Sequence, residues 1–158
     1  MIEQRTLALI KPDAWPQHGG AIITMITEAG LTIDAIEVCP KLEPGEGTHS
    51  DAPFSEERLW EMFYTEHEGK PFFRSLVSFM ASGPVLVLVL VGEDAIKRWR
   101  ALIGPSDSRK APPESVRGRF GANASVRQDH TVYPMWLNAV HGSDSVEAAA
   151  REIAFFFA

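Results

Sequence analysis

Residues 85–91 read VLVLVLV, an unbroken run of valine and leucine opened by Ser82-Gly83-Pro84. Branched side chains suit the extended backbone, and a run that is apolar at every position marks a strand in the middle of a sheet. Even with Pro84 it falls far short of the roughly 20 residues that span a bilayer. The chain is therefore expected to fold around a buried central strand. The other elements are read as its neighbours and its cover.

Residues 6–10 are a short apolar run ended by Lys11-Pro12-Asp13, which predicts a buried strand and then a loop. Ile22, Ile23, Ile26 and Ala29 have helical spacing over 20–29, with Gly30 as C-cap. Residues 31–39 alternate apolar with polar and predict a second strand, whereas 41–53 read as a solvated loop. Two helical stretches follow, one capped by Ser55 and one starting at Pro71. Residues 94–103 predict a further helix, 104–125 a long irregular segment, and 137–141 a short strand. Asp144-Ser-Val-Glu147 has the form of a capping box, and Val146, Ala150, Ile153 and Phe157 then recur at helical spacing. This order suits an α+β fold: a ferredoxin-like antiparallel sheet of the split β-α-β kind, with helices covering one face. Residues 1–158 read as one domain.

The formal net charge of −6 excludes a nucleic-acid binder that works through a broad basic face. Any polyanion must be gripped locally, by a few converging cations. Cys39 is the only cysteine, so no internal disulfide forms and a reducing, cytoplasmic setting is expected. The N-terminus lacks a signal-peptide core, and no membrane association is expected.

His141 carries the most chemical interest. It follows the apolar pair Ala139-Val140 at a strand end, precedes Gly142, where glycine leaves room for a tight turn and for close approach of a ligand, and stands just before a helix whose N–H groups favour an anion. An imidazole is a good nucleophile near neutral pH when a carboxylate holds its other nitrogen, and Glu152 in the following helix is the candidate for that task. The residues alone are as consistent with a structural histidine at a helix start. Lys11, Arg100, Arg117 and Arg119 lie close to apolar elements, where charge is costly unless paired; a triphosphate would pair it. Ordinary salt bridges to the 21 acidic residues would serve any single one equally well. There is no phosphate-cradling G-x-x-x-x-G-K-[ST] motif, and the other histidines show no zinc-like pairing.

Asn138-Ala-Val-His141-Gly-Ser-Asp-Ser145 resembles the N-x-x-H-G-S-D signature of nucleoside diphosphate kinases. Thr6 to Asp13 resembles that family's first strand and its lysine-proline-aspartate turn. Tyr64, Lys70-Pro-Phe-Phe73, Leu76, Met80 and Ser82-Gly-Pro84 resemble its nucleotide-binding helical pair. Arg100, Gly104 and Arg117-Gly118 fall in the family's order, so the likeness runs over nearly the whole chain. The resemblance implies that His141 is phosphorylated, with Glu152 orienting it and Ser143 beside it. It implies that Lys11, Tyr64, Arg100, Ser106, Arg117 and Asn138 contact phosphates and ribose, and that Phe72 and Leu76 form the cleft for the base. It further implies ping-pong transfer from a nucleoside triphosphate, typically ATP, to a nucleoside diphosphate. Mg²⁺ would be bound through the phosphates rather than by protein ligands, and the chain would form a homo-oligomer. The sequence departs from the pattern in a long acidic 42–55 region and an insertion at 127–136. It also has Leu137 where arginine is usual and Ser106 where threonine is usual. The alternative is a catalytically impaired, kinase-like nucleotide-binding or scaffolding domain, which would bind nucleotide without turnover.

Overall fold

The computed structural model describes residues 2–39, 80, 83–121 and 138–157. The expectations for 41–53, for the helices from Ser55 and Pro71 (Met80 excepted), and for 127–136 and Leu137 lie outside these residues.

The valine-leucine run is strand β3 (Val85–Glu93), and the first apolar run is β1 (Glu3–Ile10). With β2 (Thr32–Cys39) and β4 (Val140–Gly142) they make a four-stranded sheet in the order β2-β3-β1-β4, every neighbouring pair antiparallel. The ferredoxin-like arrangement is the one expected. β1 pairs with β3 from Glu3↔Glu93 to Ile10↔Leu86, so both strands run beyond their apolar stretches. The polar residues Glu3 to Arg5 extend β1 beyond its apolar run, because backbone pairing at a sheet's end needs no apolar side chain.

Successive side chains of a strand leave opposite faces. Ala8, Ile10, Leu86, Leu88 and Leu90 therefore share one face, and they meet Ile22, Met25 and Ile26 of helix α1 (Gly19–Glu28). Ala95, Trp99 and Ile103 of helix α2 (Ala95–Ile103) complete that core. Gly30, with φ +77, takes the left-handed position just after α1, as its place in the sequence predicts. Leu7, Leu9, Val87 and Val89 leave the other face and are also fully buried. The expected helical cover on one face is α1 and α2; helix α4 (Val146–Phe157) contacts β1 as well.

Three local expectations are corrected. The irregular segment after α2 contains a 3-10 turn (Ser108–Lys110) and a short helix α3 (Val116–Phe120), whose N-cap Ser115 accepts from the Gly118 N–H at 3.0 Å. Helix α4 is capped by Ser145, whose Oγ accepts from the Ala148 N–H at 3.0 Å, not by Asp144. Its buried side is Ala148, Ala149, Glu152, Phe155 and Phe156, and Val146 is 58% exposed, so the buried stripe lies one residue from the expected one. Finally, Gly142 lies inside β4 and makes no tight turn. A Cβ there would sit 2.6 Å from Cδ1 of the buried Trp99.

Gly142→Ala is therefore expected to destabilise the protein by about 1–3 kcal/mol through overpacking. Gly20→Ala, which adds a methyl in open space near the start of α1, is expected to gain up to about 1 kcal/mol. Chemical denaturation of the two variants checks this; similar effects would mean that Trp99 does not press on Gly142.

Candidate active site

Residues facing each other across an antiparallel pair share a sheet face. His141 pairs with Leu9, so its side chain leaves the face opposite the α1–α2 core, while Val140 and Gly142 pair with Ile10 and Ala8 and face that core. Glu152, on the buried side of α4, meets the ring: its Oε1 lies 3.2 Å from His141 Nε2. Ser143 Oγ donates to the other carboxylate oxygen of Glu152 and accepts from the Leu7 N–H at 3.2 Å. The brace is thus tied to the central strand. The His141 side chain is 24% exposed and that of Glu152 only 6%, which leaves the imidazole reachable and the carboxylate dry. A carboxylate beside Nε2 favours the tautomer protonated there and leaves the lone pair on Nδ1, at the ring's other edge.

The backbone of the histidine is held from α2. Trp99 Nε1 donates to the His141 carbonyl at 3.2 Å and Arg100 Nη1 to that of Gly142 at 3.3 Å. Trp99 is a core residue that also carries this bond. The tryptophan N–H was the only signal that could have pointed to it.

Lys11, at the end of β1, is buried and donates from Nζ to Asn138 Oδ1 at 2.8 Å. Asn138 Nδ2 in turn donates to the Ser106 carbonyl at 2.9 Å. Arg117, buried on α3, donates to the Gly104 carbonyl at 2.8 Å and to the Val140 carbonyl at 2.9 Å. The cations sense one another. Burial, then the charge of Arg117, lower the Lys11 pKa to about 8 against the opposing pull of Asp13. Burial, then Arg100, lower Arg117 to about 10, still protonated at neutral pH. Lys11, Asn138 and Ser106 are thus linked by hydrogen bonds, Arg117 acts on Lys11 through its charge, and Arg100 acts on Arg117 through its charge while holding the Gly142 carbonyl. Arg119 is exposed, its guanidinium 5.0 Å from the Phe120 ring centre. Tyr64, Phe72 and Leu76 lie outside the described residues.

The segment before His141 is bent sharply. Ala139, fully buried, has φ +68, a conformation that costs a non-glycine residue on the order of 1–3 kcal/mol. Its N–H donates to Asp13 Oδ2 at 3.0 Å and its carbonyl accepts from the Lys11 N–H at 2.8 Å. Where a strand is expected over 137–141, the described residues have the bend at Ala139 and then β4 from Val140 to Gly142. A groove of about 920 Å³, between the start of β1 and α4, touches none of these groups.

A carboxylate-braced imidazole beside clustered cations, on a ferredoxin-like sheet, is the equipment of a phosphotransferase. Comparison with known proteins gives the family. Residues 51–158 match the family model for nucleoside diphosphate kinase. The nucleoside diphosphate kinase of Bdellovibrio bacteriovorus is 40% identical over 155 residues, covering 98% of this chain and 92% of the relative. The Aquifex aeolicus enzyme of that name has a solved structure that superposes with a TM-score of 0.79 at 38% identity, covering 99% of this chain and 96% of that one. A Halobacterium salinarum nucleoside diphosphate kinase solved with CDP gives 0.78 at 34% identity, covering 99% and 88%. The chain belongs to the nucleoside diphosphate kinase family.

The lysine makes the cluster sensitive to pH. Its charged form predominates below about pH 8 in the free protein and is lost above it. Affinity for a nucleotide's phosphates is therefore expected to fall as pH rises through this range, and Lys11→Arg to remove that step whatever its absolute affinity. Calorimetric titration with ADP at fixed ionic strength checks this; an identical pH profile for variant and wild type would count against Lys11 as the titrating group.

Proposed function

We propose that this chain transfers the terminal phosphoryl group of a nucleoside triphosphate to a nucleoside diphosphate by a ping-pong route, with His141 as the covalent carrier. The observation that carries this reading is the 3.2 Å contact between His141 Nε2 and the buried Glu152 carboxylate, which favours the proton on Nε2 and the lone pair on Nδ1. In the first half-reaction the Nδ1 lone pair forms a bond to the γ-phosphorus, and the bond from that phosphorus to the β-bridging oxygen breaks. The nucleoside diphosphate leaves with the electron pair. In the second, a terminal oxygen of a new diphosphate attacks the phosphorus, the P–N bond breaks, and the imidazole is regenerated. Glu152 offsets the positive charge that the ring gains while phosphorylated, and Ser143 holds that carboxylate in place.

Phosphoryl transfer depends mainly on alignment and charge neutralisation. Lys11, Arg100 and Arg117 supply the charge, with Asn138 and Ser106 next to them, and the three cations suit phosphate oxygens rather than a metal ion. Mg²⁺ would accordingly be carried on the nucleotide's phosphates, where it supplies further neutralisation. Tyr64, Phe72 and Leu76 are proposed to contact the sugar and base by resemblance to the family. The CDP in the Halobacterium relative supports a nucleotide ligand. The edge strand β2, with Ile36 56% and Val38 49% exposed, supports assembly into a homo-oligomer. No helix among the described residues is long and apolar enough to cross a membrane, and the lone Cys39 favours a cytoplasmic setting.

Incubation with γ-labelled ATP and Mg²⁺ is expected to give an acid-labile, base-stable phosphoprotein that passes its label to a diphosphate. His141→Ala should abolish both steps. Absence of label on the wild-type protein would rule this function out.

A further inference from the structure

Of the Lys11-Pro12-Asp13 turn, the reaction above uses the lysine and leaves the aspartate without a task. The Val140 N–H donates to the Asn138 carbonyl at 2.8 Å, which closes a three-residue turn about Ala139. With φ +68 at its centre this is the rare, strained form of γ-turn. Both peptide groups of the strained residue are gripped by the same partner segment: Ala139 N–H by Asp13 Oδ2 at 3.0 Å, and Ala139 C=O by the Lys11 N–H at 2.8 Å. Either side of the turn carries a group of the site. Before it, Asn138 takes the Lys11 ammonium at 2.8 Å; after it, Val140 enters β4 opposite Ile10, which sets His141 opposite Leu9.

We propose that Asp13 is a positioning residue: by holding the Ala139 N–H it fixes the strained turn that sets Asn138 against Lys11 and aims His141. A charged acceptor is suited to this, because it binds a backbone N–H more strongly than a neutral one does. Without it, Ala139 relaxes toward negative φ, and the residues on its two sides rotate relative to each other. The inference rests on His141 being the phosphate acceptor. Asp13 also faces the Lys11 ammonium, together with Arg117, so its removal has an electrostatic effect that the test must separate from the geometric one.

The separation comes from glycine, which adopts positive φ without strain. Asp13→Ala and Asp13→Asn are made in the full chain, each with and without Ala139→Gly. Phosphohistidine formation, kcat and KM are measured, together with hydrogen exchange of the Val140 amide. Asp13→Ala is expected to slow phosphorylation by about tenfold or more, mainly in kcat, and to expose the Val140 amide to exchange. Asp13→Asn keeps an oxygen acceptor but no charge and should lose less. Ala139→Gly should return most of the rate to Asp13→Ala while changing little alone. Wild-type rates in Asp13→Ala, equal losses in the Ala and Asn variants, or a loss that glycine does not restore would each overturn the proposal. If Asp13→Ala does not fold, recovery of folding in the double variant supports it and continued failure overturns it. The exchange readout is independent of catalysis. A wild-type protein that takes no label therefore removes the kinase reading, while the Val140 amide still reports whether Asp13 holds the turn.

Discussion

The pairing of β4 with β1 decides where the chemistry sits. β4 has three residues, and its middle one, His141, faces Leu9. A slip by one residue would drive the imidazole into the apolar core beside Trp99 and send Val140 or Gly142 to the site. Several contacts oppose such a slip. Gly142 leaves only enough room for the Trp99 ring, Val140 lends its carbonyl to Arg117, and Ser143 Oγ accepts from the Leu7 N–H. The core packing of one face thus sets the position of His141 on the other.

The cations add a second constraint. The described ion pairs of arginine engage Arg5 with Asp34 and Arg109 with Asp107, at the surface. Lys11, Arg100 and Arg117 are instead held by amide and carbonyl oxygens. Neutral dipoles orient a cation but do not cancel its charge, and the pKa values of Lys11 and Arg117 are lowered first by burial and then by a neighbouring cation. A cluster that repels itself when empty gains most when a polyanion enters. That explains how a chain of net charge −6 can still grip a triphosphate: the positive charge is few in number, partly desolvated and close together.

Much of this was legible in the residues, for identifiable reasons. VLVLVLV fixed the central strand, and Ile22 to Gly30 fixed α1 with its left-handed end, because apolar periodicity and glycine report directly on burial and φ. His141 and Glu152 could be paired in advance because a strand end and the helix after it leave few ways for residues eleven apart to meet. The meeting of Lys11 with Asn138 could not, since those residues lie 127 positions apart and only the sheet order joins them. The turn at Ala139 was hidden for another reason: alanine carries no mark of positive φ. Gly142 misled in the opposite sense, since its small size serves Trp99 rather than a turn.

The two halves of the site differ in how much water they see, and this difference gives them their roles. Glu152 is nearly dry and fully engaged, by His141 on one oxygen and Ser143 on the other. A carboxylate so placed stabilises positive charge on the ring strongly, because little solvent screens it, and needs no reorganisation when that charge appears. The imidazole stays partly exposed, as a group must if it is to take a phosphoryl group from one nucleotide and give it to another in each cycle. Burying the ring further would strengthen the brace but shut out the nucleotide, and exposing the carboxylate would admit the nucleotide but weaken the brace. Seating His141 on a sheet strand and Glu152 in the helix behind it satisfies both demands.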